Sequence, residues 1–550
     1  MRPRSPLRRR LGPGVLLAAV PAGFLVVFFA YPVATIVLAG LRPDGRWELE
    51  AFTEILADPS VAEVLWFTLW QAAASTGLTL VLALPGAYVL ARYDFRGRSL
   101  VRAAITVPFV LPTVVVASAF LAIVGPRGVI GGAGLHQSIW AVLVAHAFFN
   151  YAVVVRTVGG LWAHLDPRMA EAAQVLGAGR ARAFREVTLP LLRPAIAASA
   201  AIVFLFTFTS FGVVVLLGGP RRATLEVEIV RATRDLLDLR LAAVLALVQL
   251  VAVVAIVAVY GWLQAHAPAR QRLRAGAEVA VRATSARRRL VLGANLAVMA
   301  VLLGAPLAIL VERSFRAPGG YGLGSYRALG ESAAASTLFV PPVEAIGNSV
   351  VFALAATVIA LVVGVPAAVA LARRRRGGWR AFDVALMLPL GTSAVTVGFG
   401  FLIALDAPPL DLRASPMLIP IAHALVAMPF VVRILVPVLT SIDVRLREAA
   451  AVLGAGPVRV WREVDLAIVG RALLVACGFA FAISIGEFGA TLLIARADTP
   501  TLPVAIFRFL GRPGAASFGQ AMAMSTILMV VTASAILVIE RFRVGDVGQF

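Results

Sequence analysis

The amino-acid sequence predicts an all-α integral membrane protein made of two parallel-repeat lobes of about six transmembrane helices each. Three observations predict it. The 550 residues are 60% hydrophobic and only 14% charged, whereas a water-soluble chain averages about 45–50% apolar and about 25% charged residues. The apolar residues fall in blocks, each long enough to cross about 30 Å of hydrocarbon at about 1.5 Å per residue. The second half of the chain also repeats the first at one constant offset.

Taken in order, the basic opening MRPRSPLRRR has the charge of a signal-peptide head. The apolar stretch behind it, about 14–40, exceeds the roughly 7–15 residues of a signal core, so it is expected to stay as the first span. Further spans are expected near 62–90, 102–125, 138–158, 195–218 and 240–263, then 289–311, 346–371, 382–405, 416–438, 471–494 and 518–540. Arginine placement supports this count, because cytoplasmic loops collect basic residues. With alternating spans, RRR at 8–10, ARYDFRGRSLVR, the region around 156–194, the segment 264–288, RRRRGGWR at 373–380, the region around 439–470 and the ERFR tail share one side. Both termini are then cytoplasmic. On the other side, 219–239 alternates arginines with acids, an amphipathic pattern suited to the membrane surface. The expected division is a first lobe over 1–263, a cytoplasmic linker over 264–288 and a second lobe over 289–550.

The net charge of +21 comes from a chain without lysine, so all 50 basic residues are arginine. Their short clusters between apolar blocks mark membrane orientation rather than a nucleic-acid partner. A phosphate-binding P-loop needs the lysine of GxxxxGK[ST], so ATP, if it drives the process, binds another subunit. No catalytic constellation, metal-ligand spacing or cofactor motif is present. The sole cysteine, Cys477, lies inside an apolar block; it excludes an intrachain disulfide and reads as a small buried apolar residue.

The repeat has an offset of 277 residues. LDPRMAEAAQVLGAGRARAFREVTLP at 165–190 falls on IDVRLREAAAVLGAGPVRVWREVDLA at 442–467, and AHAFFNYAVVVR at 145–156 falls on AHALVAMPFVVR at 422–433. The same register lays Phe211-Gly212 on Phe488-Gly489 and Thr224-Leu225 on Thr501-Leu502. An even number of spans per copy keeps the two lobes in one orientation, related by an axis along the membrane normal.

The repeated loop has a physical reading of its own. Asp166-Pro167 offers an N-cap and a first-position proline, and Asp443 offers the equivalent cap. Helical residues run on to Leu176 and Leu453, where Gly-Ala-Gly reverses the chain at little steric cost. Each copy is expected to form a short exposed helix, a turn and a second amphipathic segment. Alanines on the exposed face admit another protein's backbone, and an acid beside them meets basic groups. The block resembles the EAA motif, EAA-x3-G-x9-I-x-LP, of type I importer permeases of the ATP-binding cassette superfamily. Glu171, Ala172, Ala173, Gly177, Val187 and Leu189-Pro190 match it in the first copy. Glu448, Ala449, Ala450, Gly454, Val464 and Leu466 stand at the same offsets in the second, with Ala467 in place of the proline. The resemblance implies that these loops couple the permease to a separate ATPase dimer, that an external substrate-binding protein delivers the substrate, and that the chain sits in the bacterial cytoplasmic membrane.

Several polar residues fall in apolar segments. His146 and His423 match in the repeat, and read first as hydrogen-bonding packing residues and second as pathway groups. His136, His164 and His266 are scattered. Ser210-Phe211 and Glu487-Phe488 are repeat-equivalent candidates for a substrate pathway, with Thr207, Thr209 and Ser484 nearby. A carboxylate at Glu487 would attract a cation; the alternative is a structural partner such as Arg496. Gly212 and Gly489 allow close packing. The fused form, with LGGPRRATLEVEIVRA and GEFGATLL, is similar to bacterial thiamine and ferric-iron uptake permeases, which implies a cationic substrate. A two-lobe secondary transporter driven by an ion gradient would share the topology but leaves the matched loops unexplained.

Overall fold

The structure, a computed structural model, describes residues 13–42, 45–265, 280–317, 320–331, 340–373, 379–408 and 410–542. The first nine residues of the basic opening and its tenth, residues 266–279 of the linker, most of the 373–380 cluster and the last eight residues lie outside this set. In the first lobe the helices are α1 (Leu17–Leu41), α2 (Pro59–Arg92), α3 (Arg98–Val110), α4 (Thr113–Val124), α5 (Ile139–His164), α6 (Arg168–Val175), α7 (Arg180–Phe208), α8 (Gly212–Leu217), α9 (Leu225–Arg234) and α10 (Leu239–Ala265). In the second they are α11 (Ala286–Ser314), α12 (Pro342–Arg373), α13 (Trp379–Gly391), α14 (Ala394–Ala404), α15 (Leu418–Ser441), α16 (Val444–Val452), α17 (Pro457–Ile485), α18 (Gly489–Ile494), α19 (Leu502–Leu510) and α20 (Ala515–Phe542). Each of these helices has its repeat partner ten numbers later, and a further short helix, Leu49–Ala57, precedes α2.

Ten helices among the described residues are long and apolar enough to cross a membrane, or twelve if each bent pair is one span. The two expected spans near 102–125 and 382–405 are those bent pairs: α3 and α4 meet at 100°, α13 and α14 at 97°. The first bend falls at Leu111-Pro112, and Pro112 precedes α4 as its cap, where proline removes a backbone donor and biases its predecessor away from the helical region. At the second, Ser393 Oγ accepts the N–H groups of Val395 and Thr396 at 3.1 and 3.4 Å, a polar cap that starts α14.

The expected spans near 195–218 and 471–494 are interrupted as well. α7 stops at Phe208 and α8 begins at Gly212; α17 stops at Ile485 and α18 begins at Gly489. The expected surface helix over 219–239 is corrected too. α9 buries Leu225, Glu226, Ile229, Val230, Ala232 and Thr233, because it packs inward against α2, α10 and α14 rather than lying on lipid. Cys477, expected buried, is half-buried on α17.

The lobes interlock through their first spans. α1 packs on α12 and α14 of the second lobe, while α11 packs on α2 and α4 of the first. A Cβ built on Gly400 would meet Pro32 and Ile36 of α1 at 3.0 and 3.2 Å, and one on Gly86 would meet Tyr151 and Met299 of α11. Without a hydrophobic drive between helices in lipid, such close van der Waals approach holds spans together. A buried hydrogen bond between Ser118 on α4 and Ser525 on α20, 2.9 Å, crosses the same interface. A two-residue parallel bridge joins Tyr93-Asp94, after α2, to Val281-Arg282 before α11, so the chain between the lobes is held against the first one.

Gly398 marks a close approach of backbone to backbone inside the second lobe, since a Cβ there would sit 2.7 Å from Ala490 Cα and 2.9 Å from its carbonyl oxygen. Gly398→Ala is expected to destabilise the purified permease by about 1–3 kcal/mol through overpacking. Gly470→Ala, at a position with open space, is expected to be neutral or stabilising. Thermal unfolding of both variants in detergent checks this; equal midpoints would contradict it.

Candidate functional site

The two matched loops fold alike. In the first, Asp166 accepts the Arg168 N–H at 3.0 Å and α6 ends at Val175, capped by Leu176 and followed by Gly177 at φ 90°. In the second, Asp443 accepts the Arg445 N–H at 3.0 Å and α16 ends at Val452, capped by Leu453 and followed by Gly454 at φ 85°. A positive φ of this size is the left-handed region that glycine occupies without a Cβ penalty. Glu171, Ala172, Glu448 and Ala449 are exposed, and Ala173 and Ala450 are half-buried. Arg92, at the end of α2, donates to the Leu165 carbonyl at 3.4 Å and lies within electrostatic reach of Asp166 and Glu171.

Sequence reasoning missed the apolar tip of each loop. Val175 and Leu176 are 88% and 89% exposed, and Val452 and Leu453 are each 87% exposed. Paired apolar side chains held this far into solvent at both copies mark a surface built to be covered; the signal was the VLGAG shared by both copies. The loops differ in their anchoring. Arg447 on α16 pairs with buried Asp465 at 2.7 Å, while the first lobe has Ala170 and Thr188 at those offsets. The proline lost at Ala467 has no visible consequence, for α7 and α17 each run on as one 29-residue helix through a wide turn at 184–188 and 461–465.

About 29 residues along α7 and α17, at the end away from these loops, lie the interruptions that hold the candidate pathway residues. Ser210, Phe211, Glu487 and Phe488 are all buried. Phe211 and Phe488 stack on each other across the two lobes, with ring centroids 5.2 Å apart and an interplanar angle of 26°. Phe507 of α19 lies 5.4 Å from Phe488. The structure thus brings Phe211 and Phe488, repeat-equivalent residues of the two lobes, into direct contact, while Ser210 and Glu487 take separate partners.

Histidines from the fourth span of each lobe brace the interruptions. His146 Nε2 lies 2.8 Å from Ser210 Oγ and its Nδ1 2.9 Å from Ser75 Oγ. His423 Nδ1 lies 2.8 Å from Ser484 Oγ, and its Nε2 lies 2.7 Å from Thr491 Oγ1 and 3.2 Å from Glu487 Oε2. Backbone groups freed by the interruption are also taken up: Gln71 donates to the Thr207 carbonyl at 2.8 Å and Thr224 to the Ser210 carbonyl at 3.3 Å. On the second side, the Glu487 carboxylate accepts the N–H groups of Ala490 and Thr491 at 2.9 and 3.0 Å, and the Thr491 hydroxyl besides. Its partner is therefore His423 and the start of α18. Arg496, the expected alternative, instead pairs with Asp498 at 3.2 Å. Ser75, Gln71, Thr224 and Thr491 are polar residues whose part sequence reasoning did not find; their spacing from the interruptions is set only by packing.

Residues 83–273 match the family described as binding-protein-dependent transport system inner membrane component. The chain is 26% identical to a probable ABC transporter permease protein, y4fN, of Sinorhizobium fredii, covering 96% of both chains. It is 28% identical to the thiamine transport system permease protein ThiP of Escherichia coli, covering 92% of both. Against the sulfate transport system permease protein CysT of Salmonella typhimurium it is 32% identical over 38% of this chain and 77% of that one. The chain belongs to this family. It is a type I permease of an ATP-binding cassette importer, a multi-pass inner membrane protein, and the ion-gradient alternative has nothing to support it. Membership of a binding-protein-dependent transport family implies an ATPase and a substrate-binding protein as partners.

The central histidines separate two kinds of support. His146 faces neutral hydroxyls, whereas His423 also faces a carboxylate. Removing one partner of a buried charged group costs more than removing one of a neutral group. His423→Ala is expected to lower permease stability by about 1–3 kcal/mol, and His146→Ala by less. The order is read from their thermal midpoints, and the reverse order would contradict the assignment.

Proposed function

We propose that this permease imports a cation of the thiamine class, that Ser210, Phe211, Glu487 and Phe488 form the closed point of its translocation pathway, and that the two EAA-type loops couple it to the ATPase. The stacked Phe211–Phe488 pair is the observation that carries the reading. An aromatic pair contributed equally by both lobes seals the axis between them and parts when the lobes rock, and beside it stands Glu487, the acid suited to a cation. Thiamine is favoured over ferric iron and sulfate because relatives described as thiamine permeases match along nearly the whole of this chain, while the sulfate relative matches 38% of it. In the loops, Glu171, Ala172, Ala173 and Gly177, with Glu448, Ala449, Ala450 and Gly454, present an acid and small residues around the exposed tips Val175-Leu176 and Val452-Leu453. An ATPase cleft that covers the apolar tips and offers cations to the acids would be complementary to both. Residues 1–263 and 289–550 act as the two lobes, joined by a linker over 264–288, with both termini cytoplasmic.

Uptake of labelled thiamine, ferric iron and sulfate by cells expressing the whole importer tests the substrate. Thiamine uptake is expected, and Glu487→Gln is expected to reduce it roughly tenfold, the factor that about 1.4 kcal/mol represents. Uptake of sulfate alone would overturn the cation reading.

The double variant Glu171→Arg with Glu448→Arg is expected to abolish uptake and ATPase co-purification while the permease stays in the membrane, because charge reversal repels a basic partner. Surviving co-purification would refute the coupling role. Reporter fusions near residue 275 and at the C-terminus are expected to read cytoplasmic, and an external signal at either would overturn the orientation.

A further inference from the structure

One buried carboxyl belongs neither to the interruptions nor to the turn loops. Glu226 lies on α9, in the connection between α7 and α10 and outside every helix long enough to cross a membrane, yet it is only 1% exposed. Its Oε1 accepts a hydrogen bond from the Gln249 amide on α10. The Gln249 carbonyl oxygen accepts in turn from the Thr396 hydroxyl on α14, at 3.5 Å. Ser393, which caps α14, brings its side chain to the same carboxyl, while Oε2 has no hydrogen-bond partner among the described residues. Two elements of the first lobe and the start of a bent span of the second thus meet on one side chain.

Both ends of this contact lead to the closed centre. At the start of α9, Thr224 holds the Ser210 carbonyl, and the Leu225 N–H donates to Thr68 on α2 at 3.0 Å. On the other side, α14 lies backbone against backbone with α18, through Gly398 on Ala490 and Gly489 on Val395, and α18 follows Phe488 directly. The device is one-sided, because the repeat places Pro503 where Glu226 stands.

We propose that Glu226 is a positioning residue of the transport cycle, whose neutral carboxyl latches α9 and α10 onto the start of α14 and so holds the Phe211–Phe488 closure shut. The proposal rests on the reading of Phe211–Phe488 as the closed point of the pathway and needs neither the substrate nor the coupling loops assigned above. Its chemistry follows from the surroundings. The elements packed around Glu226 present Gln249 from α10, Ser393 and Thr396 from α14 and Thr68 from α2, none of them charged, and among the described residues no charged group acts on the carboxyl. Burial pushes its pKa up to about 7, against the opposing pull of Ser393 and Gln249. When the lobes part and water reaches the carboxyl, it returns toward the ordinary value of about 4.3. The closed state then binds more protons than the open one between these values, so its advantage is full below about 4.3 and is lost as pH rises through about 7.

The test uses the full chain in lipid nanodiscs with its only cysteine removed by Cys477→Ser. Spin labels are placed on Arg127→Cys and Asp411→Cys, both exposed, in the repeat-equivalent loops before α5 and α15. Between pH of about 5.5 and about 8.5, wild-type Glu226 is expected to show at least about a twofold growth of a longer-distance population. Glu226→Gln, which keeps the shape and a neutral polar group, is expected to stay at the short distance throughout, and Glu226→Ala to populate the longer one at every pH. A Glu226→Gln protein that follows the wild-type pH profile, or a wild type that does not respond, would overturn the latch. Should Glu226→Ala fail to fold, the comparison of wild type with Glu226→Gln still decides.

Discussion

A helix that stops inside a bilayer leaves backbone groups that no water can satisfy, and each such group costs several kcal/mol unless the protein supplies a partner. The centre of this permease is organised by that constraint. Two spans stop, at Phe208 and at Ile485, and the neighbouring helices place polar side chains against the interruptions. Gln71 and Thr224 take carbonyls in the first lobe, and the Glu487 carboxylate takes the first N–H groups of α18 in the second. The same structural problem is thus met by neutral groups on one side and by a carboxylate paired with histidine on the other.

The pseudo-twofold arrangement makes these interruptions meet. Because the first span of each lobe packs on the opposite lobe, the two halves are interlocked rather than merely adjacent, and the stacked phenylalanines join one lobe to the other. Irregular backbone at membrane depth is tolerated where it is buried in protein or lines a pathway, and the residues at these interruptions are buried. Contact between the aromatic pair and satisfaction of the broken backbone therefore depend on the same few residues. A substitution aimed at one disturbs the other, which is why stability and transport need separate readouts at His423 and Glu487.

At the other end of α7 and α17 the physics is that of a surface. The loops α6 and α16 are short, capped by aspartate and ended by glycine at positive φ, so their shape is set locally and needs little from the bundle. Their apolar tips are exposed in the free permease. The second loop has an additional tether through Arg447 and Asp465 that the first lacks, and the two copies are accordingly unequal in how firmly they are held.

The sequence by itself determined the membrane class, the span count to within the two bent pairs, the repeat register and the form of the loops. These depend on composition, on apolar run length and on local capping chemistry, all of which are written in contiguous residues. Glu487, Phe488, Ser210 and Phe211 were also legible, as polar or matched residues in apolar runs. What faces them was not. That Glu487 pairs with His423 rather than Arg496, that Phe211 stacks on Phe488, that α9 turns inward, and that Glu226 reaches Ser393 all depend on contacts between residues 23 to 277 positions apart or on bends of about 100°. Hydropathy reports that a segment is apolar enough to lie in lipid, and it carries no information on which neighbour covers it or where it bends. Only the tertiary packing decides that, because a buried polar group takes whichever partner the fold brings within hydrogen-bond reach.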